Sequence, residues 1–305
     1  MGAKRHNSHT DRLLSRDLIQ PPRWLTHNLM FEGITGSEAY GCADKSSSSD
    51  IDIVGFVIPP KEYIFPHLSG YIQGFNDSSK KSFDQFLAEG VEDKETKRNY
   101  DVVIYNIVKF FSMTMDNNPN MIDSLFLPRR CITRSTAIYE HVRNNRHVFL
   151  STKSYHTFRG YANSQLSKIT RKTNSENPKR AESIKKYGYD VKFGYHLVRL
   201  MLECEQILTT GTLVLDRDAK TYNAIRRGEW DLDRLVNWFT SKESSLEKMV
   251  SEAVVPHSCD KGKIKQILVE CLEMHYGDLS NEVVLDKSIH DVLDDMEDVI
   301  RRYRK

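Results

Sequence analysis

Asp50 and Asp52 are the residues whose type and spacing speak first of chemistry. They head the run DIDIVGFVI (50–58), β-branched and apolar, which stops at Pro59-Pro60 and reads as a buried strand. Residues i and i+2 of a strand share a face, so this strand sets two carboxylates side by side and turns Ile51 and Ile53 into a core. Carboxylates are hard oxygen ligands suited to magnesium. Two divalent ions about 3.5–4 Å apart stabilise the attacking and leaving oxygens of a phosphoryl displacement together. A third carboxylate on a neighbouring strand would complete the cluster. Asp101, at the head of DVVIY (101–105), is the favoured candidate, and Glu92, Asp93 and Glu95 in a nearby charged run are its rivals. Phosphates also need donors. Gly36-Ser37 follows a short strand, FEGI (31–34), and precedes Glu38-Ala39-Tyr40, which reads as a helix start. Glycine lets backbone approach a phosphate, and a helix N-terminus aims free N–H groups at anions. A lone D-x-D is common by chance. The ordered combination of strand, Gly-Ser, D-x-D strand and a further Asp-headed strand is far more specific.

A second pattern lies in the later half. Lys192, His196, Arg199, Glu203 and Gln206 fall four, three, four and three residues apart, which is one face of a helix. Phe193, Leu197, Leu200, Cys204 and Ile207 form a neighbouring apolar face. The Lys-His-Arg end suits a triphosphate; the rival reading is a solvated polar face. Tyr161 offers a ring for a base to stack on, or an ordinary packing tyrosine. Arg171, Lys172, Lys179, Arg180, Lys185 and Lys186 suit a nucleic-acid backbone or an exposed loop.

The elements that must position these residues divide the chain. Residues 31–34, 51–58 and 101–105 read as strands, 46–49 as a loop, and 61–99 as irregular strands with a mobile loop. Helices are expected over 107–115, from Asn118-Pro119, and over 135–144, 153–170, 189–209, 218–227, 231–250, 261–276 and 287–302, with 171–188 an exposed loop. The composition changes near residue 130. The expected organisation is a flexible arm (1–15), a catalytic domain (16–130) and a helical domain (131–305). The fold class is α+β, a mixed sheet with flanking helices followed by an all-helical lobe. The 305 residues, 39% hydrophobic, are enough for a real core. With 44 basic and 42 acidic residues the total charge is nearly balanced. Five scattered cysteines form no CxxC pair, which argues against a disulfide framework or zinc site and fits a cytoplasmic setting. No apolar run approaches the roughly 20 residues of a membrane span.

GITGSEAYGCADKSSSSDIDIVGFVI (33–58) resembles the G-S…D-x-D signature of the DNA polymerase beta-like nucleotidyltransferase superfamily. YDVVIYNIVKFFSMTMDNNPNMIDSLF (100–126) is similar to the D-x-x-x-Y…K-F…N-P…L-F stretch of its RNA-repair-pathway, or RNA-ligase-associated, members from bacteria and phages. FRGYANSQLSKI (158–169), KFGYHLVRLMLECEQILTTGTL (192–213) and AIRRGEW (224–230) also look like that family, with Asp123 at an acidic position after Asn-Pro. The resemblance covers roughly 31–230. It implies phosphate binding by Gly36 and Ser37, and two Mg2+ (or Mn2+) ions on Asp50, Asp52 and Asp101. The implied activity is transfer of a nucleoside monophosphate from a triphosphate to an acceptor hydroxyl, an RNA or DNA 3′ end by preference, with pyrophosphate released. The alternatives are a protein or small-molecule acceptor, or a non-catalytic nucleotide-sensing module. Base preference, template use and oligomeric state are not read from the sequence.

Overall fold

The structure is a computed structural model that describes residues 8–43, 50–69, 81–171 and 178–277. Five strands, β1 (Leu29–Ile34), β2 (Ile51–Val57), β3 (Gln85–Asp93), β4 (Arg98–Asn106) and β5 (Ile132–Ser135), form one sheet in the order β3-β4-β2-β1-β5. Only the central β2–β4 pair is parallel. The helices are α1 (His9–Ser15), α2 (Lys61–Ile64), α3 (Ile107–Met115), α4 (Pro119–Leu125), α5 (Ala137–Asn144), α6 (Lys153–Arg171), α7 (Pro178–Tyr187), α8 (Val191–Thr210), α9 (Ala219–Arg226), α10 (Leu232–Met249) and α11 (Lys261–Tyr276). None of them is long and apolar enough to cross a membrane.

The alternation in the central strands decides where the acidic side chains point. Ile51, Ile53, Val57, Tyr100, Val102 and Ile104 share one small core behind the sheet with Leu13, Ile19 and Leu25. Val54 and Phe56 join the large front core formed with the helices, and Val103 and Tyr105 pack against it. With period two, Asp52 and Asp101 belong to that front face.

Residues 9–15 are a helix and not a solvated arm: Leu13 is fully buried, and Glu32 accepts hydrogen bonds from Ser8 Oγ and the His9 and Thr10 amides. Within 61–99, expected as irregular strands with a mobile loop, residues 85–93 form a nine-residue edge strand, β3, that pairs along β4 through a bulge between Ala88 and Val91. β5 lies beyond residue 130 yet completes the sheet beside β1, so the sheet is not confined to residues 16–130. Within the stretch expected as an exposed loop, 178–187 is helix α7. The expected loop at 46–49 and helix at 287–302 lie outside the described residues. Asn118 caps α4 with Pro119 at the first helical position, as the Asn-Pro pair predicts.

Candidate active site

The parallel register of β2 and β4 pairs Asp52 directly with Asp101. Paired residues of neighbouring strands project to the same side, so the two carboxylates share a face across one interstrand spacing of about 4.8 Å. Asp50 lies two residues before Asp52, and its Oδ1 accepts a hydrogen bond from Asn99 Nδ2 at 3.3 Å. Asp101 Oδ1 accepts the Gly90 amide at 2.7 Å, the amide that the β3 bulge turns inward. The rivals for the third place lie elsewhere. Asp93 is buried behind Arg16, 2.6 Å away, and accepts the amides of Glu95 and Thr96; Glu95 pairs with Arg16 at the surface.

Gly36 completes the acidic corner. Its φ of +68° is one that L side chains rarely adopt, and a Cβ there would lie 2.3 Å from Asp52 Oδ2. The turn is tied to the same strand by the Thr35 amide, which donates to the Asp52 carbonyl at 2.8 Å. The expected helix start after Ser37 is instead one 3-10 turn, Gly36–Glu38. The turn therefore offers local amides and the Ser37 hydroxyl as donors, without an α-helix N-terminus. Burial raises the Asp52 carboxyl above the usual range; Lys192 pulls it down, and the charges of Asp101 and Asp50 add to the rise.

The polar stripe of α8 divides along its length. Lys192, exposed in the first turn, lies near enough for its charge to act on Asp52. His196 stacks on Tyr195 with ring centroids 4.2 Å apart. Burial holds its imidazole well below the usual pKa, with Arg199, Lys192, Arg226 and Arg180 acting in the same direction, so it is neutral near pH 7. Arg199 is only 4% exposed. Its guanidinium bonds Asp123 Oδ2 at 2.5 Å and Glu203 at 3.0 Å and lies 4.2 Å from the centre of the Tyr40 ring. The expectation of a cationic Lys-His-Arg stripe open to phosphate is thus corrected: Lys192 alone of the three keeps that character, because burial disfavours the charged form of His196 and two carboxylates occupy Arg199. Tyr161 is 40% exposed, and its hydroxyl accepts from Asn118 Nδ2 at 2.9 Å, so it is not a buried packing tyrosine.

Sequence reasoning missed Tyr40, Tyr195 and Arg226. Arg226 lies over the Tyr195 ring at 5.5 Å, and Tyr195 in turn feels the Asp52 charge. The only signal was that all three fall inside the quoted motifs.

Asp50, Asp52 and Asp101 offer hard oxygen donors on one face, and that set fits magnesium or manganese. Among the described residues no three His, Cys, Asp or Glu side chains converge on a metal position as they stand. Asp50 and Asp101 each have one oxygen engaged by a neighbour.

The model of the RNA repair pathway DNA polymerase beta family matches residues 13–261. An uncharacterized 38.9 kDa protein encoded in the nrdC-mobD intergenic region of Enterobacteria phage T4 is 27% identical over 135 residues, 44% of this chain; the match spans 36% of that protein's length. The crystal structure of a nucleotidyltransferase-like protein from Exiguobacterium sibiricum aligns with 86% of this chain and 79% of its own, at 10% identity and a TM-score of 0.28, a likeness too weak to bear on the fold.

Proposed function

The chain belongs to the RNA repair pathway DNA polymerase beta family, and from that membership and the carboxylate geometry we propose that it transfers a nucleoside monophosphate from a nucleoside triphosphate to the 3′ hydroxyl of an RNA or DNA end. The observation that carries the reading is the Asp52–Asp101 pair of β2 and β4 with the Gly36 turn seated on Asp52.

Asp50, Asp52 and Asp101 would hold two Mg2+ or Mn2+ ions. Such ions, when bound, neutralise triphosphate oxygens and acidify the acceptor hydroxyl. Gly36 and Ser37 would hold the β and γ phosphates through backbone amides and the Ser37 hydroxyl. Lys192 offsets triphosphate charge from the opposite wall, a contribution that grows as charge collects on the departing pyrophosphate. The acceptor oxygen attacks the α phosphorus, the bond from that phosphorus to the bridging oxygen breaks, and pyrophosphate leaves. Asp101 is the residue suited to take the hydroxyl proton, since Gly90 holds its Oδ1 and leaves Oδ2 for that work. Exposed Lys168, Arg171, Lys185 and Lys186 on α6 and α7 favour a polyanionic acceptor.

The test is incubation with α-labelled triphosphates and Mg2+ in the presence of separate RNA, DNA and protein pools. Label on RNA or DNA 3′ ends is the expected result. Label on protein alone would reassign the acceptor, and no transfer to any pool would refute the enzymatic reading.

A further inference from the structure

The seven residues from Gly36 to Cys42 are held from outside. Arg130 Nη2 donates to the carbonyls of Glu38 and Ala39, each at 3.4 Å, and Asp216 fixes Arg130 at 2.8 Å. Asn223 of α9 donates to the Gly41 carbonyl at 3.4 Å. Arg226, at the end of α9, donates to the Cys42 carbonyl. These side chains come from the turn before β5 and from α9, so the helical half takes up loop carbonyls that solvent would otherwise satisfy.

Beneath the loop lies a buried network. The Tyr40 hydroxyl donates to Asp123 Oδ2 at 2.7 Å, the oxygen that also receives Arg199. Glu203, fully buried, holds Arg199 from its own helix. Tyr40 connects this network to the turn through its own amide, which donates to the Gly36 carbonyl at 3.2 Å; the Cys42 amide does the same for Ser37 at 2.9 Å. Gly36 in turn abuts Asp52. A buried ion cluster is a poor way to gain stability, because apolar packing does as well without the desolvation cost. What it does provide is fixed geometry, and here the fixed object is one bond away from the turn.

We propose that Tyr40, Asp123 and Arg199 are positioning residues for the triphosphate: anchored on α4 and α8, they set the Gly36–Ser37 turn against Asp52. The inference rests on the reading of that turn as the phosphate site. It explains why the arginine of the α8 stripe is buried while the lysine is not: one shapes the site and the other faces it.

Tyr40→Phe removes only the hydroxyl. The ring stays under Arg199, and Asp123 Oδ2 keeps its bond to Arg199. The measurement is the affinity of the full chain for an α,β-methylene triphosphate analogue in Mg2+, alongside KM, kcat and melting temperature. Loss of one hydrogen bond to a charged group that sets the turn should weaken the analogue by about tenfold and raise KM similarly, with kcat at saturation nearly unchanged. Arg130→Met, a half-exposed site that lets go of two loop carbonyls without opening the core, should shift affinity the same way by a smaller factor. It decides alone if Tyr40→Phe does not fold. Folded variants with wild-type affinity, whatever their melting temperature, would mean that the network is structural only. If the wild-type chain itself binds no triphosphate in Mg2+, the functional reading falls and the positioning role falls with it; equal binding in wild type and both variants overturns the positioning role alone.

Discussion

At the scale of residues, function and stability pull against each other at Asp52. Its folded pKa is raised, first by burial and then by Asp101 and Asp50 against the relief from Lys192. The folded state therefore favours the protonated form, and the ionised carboxylate opposes folding above its folded pKa. That penalty is absent below the unfolded value of about 3.9. Asp52→Asn should accordingly be somewhat more stable than wild type at pH 7, a gain that solvent screening keeps small, and the gap should close as the pH falls below about 4. Denaturation curves of both proteins across that range test the sign; a variant less stable than wild type at pH 7 would contradict it. Gly36 and Ser37 should separate in the opposite way to their chemistry. Ser37→Ala removes one donor, whereas Gly36→Ala forces a positive φ on alanine and drives a methyl group into Asp52 Oδ2. Left-handed strain costs about 1–2 kcal/mol, so Gly36→Ala should lose stability and triphosphate binding together, and Ser37→Ala binding alone. Equal triphosphate affinity in wild type and Gly36→Ala would refute the placement.

At the scale of elements, Arg199 marks how far sequence reading reaches. The strands carrying Asp50, Asp52 and Asp101 were legible because D-x-D followed by a β-branched run has one periodicity and one sensible face. α8 was legible as a helix from the same kind of argument, since its apolar positions repeat at 3.6 residues. Which of its polar residues face the cleft was not legible, because helical spacing places Lys192, His196 and Arg199 on one stripe and says nothing of what covers each turn. Asp123 and Tyr40 cover the third turn, and both are far from Arg199 in sequence. β3 was legible only as an irregular strand within 61–99, and its bounds were not, because an edge strand leaves Leu87, Glu89 and Glu92 exposed. α1 escaped notice because its docking partner, Glu32, is a buried charge on another strand. The consequence for Arg199 is measurable. Arg199→Met leaves Asp123 and Glu203 buried without their cation, and breaking such a cluster costs about 3–5 kcal/mol. Urea unfolding should show a loss of that size, far beyond that of Lys192→Met, which stands in solvent. Similar stability in the two variants would mean that Arg199 is not the centre of the network.

At the scale of the whole molecule, the sheet supplies acid and the helices supply the remaining contacts. β2 and β4 set Asp52 beside Asp101 on the front face, with Asp50 just before β2; the Gly36 turn sits on Asp52, and Lys192 of α8 acts on it. Arg130, Asn223 and Arg226 hold the turn from the helical side. That division suits a reaction in which an anionic triphosphate and its cations must be held between two walls. The proposed activity, metal-dependent nucleotidyl transfer, rests on Asp50, Asp52 and Asp101. The most direct measurement is the rate of label transfer from an α-labelled nucleoside triphosphate to RNA in Mg2+, for wild type and for Asp52→Asn, with circular dichroism to show that both are folded. Transfer by the wild type, abolished by chelation and lowered at least about a thousandfold in the variant, is the expected result; undiminished transfer by a folded Asp52→Asn would rule out these carboxylates as the catalytic centre.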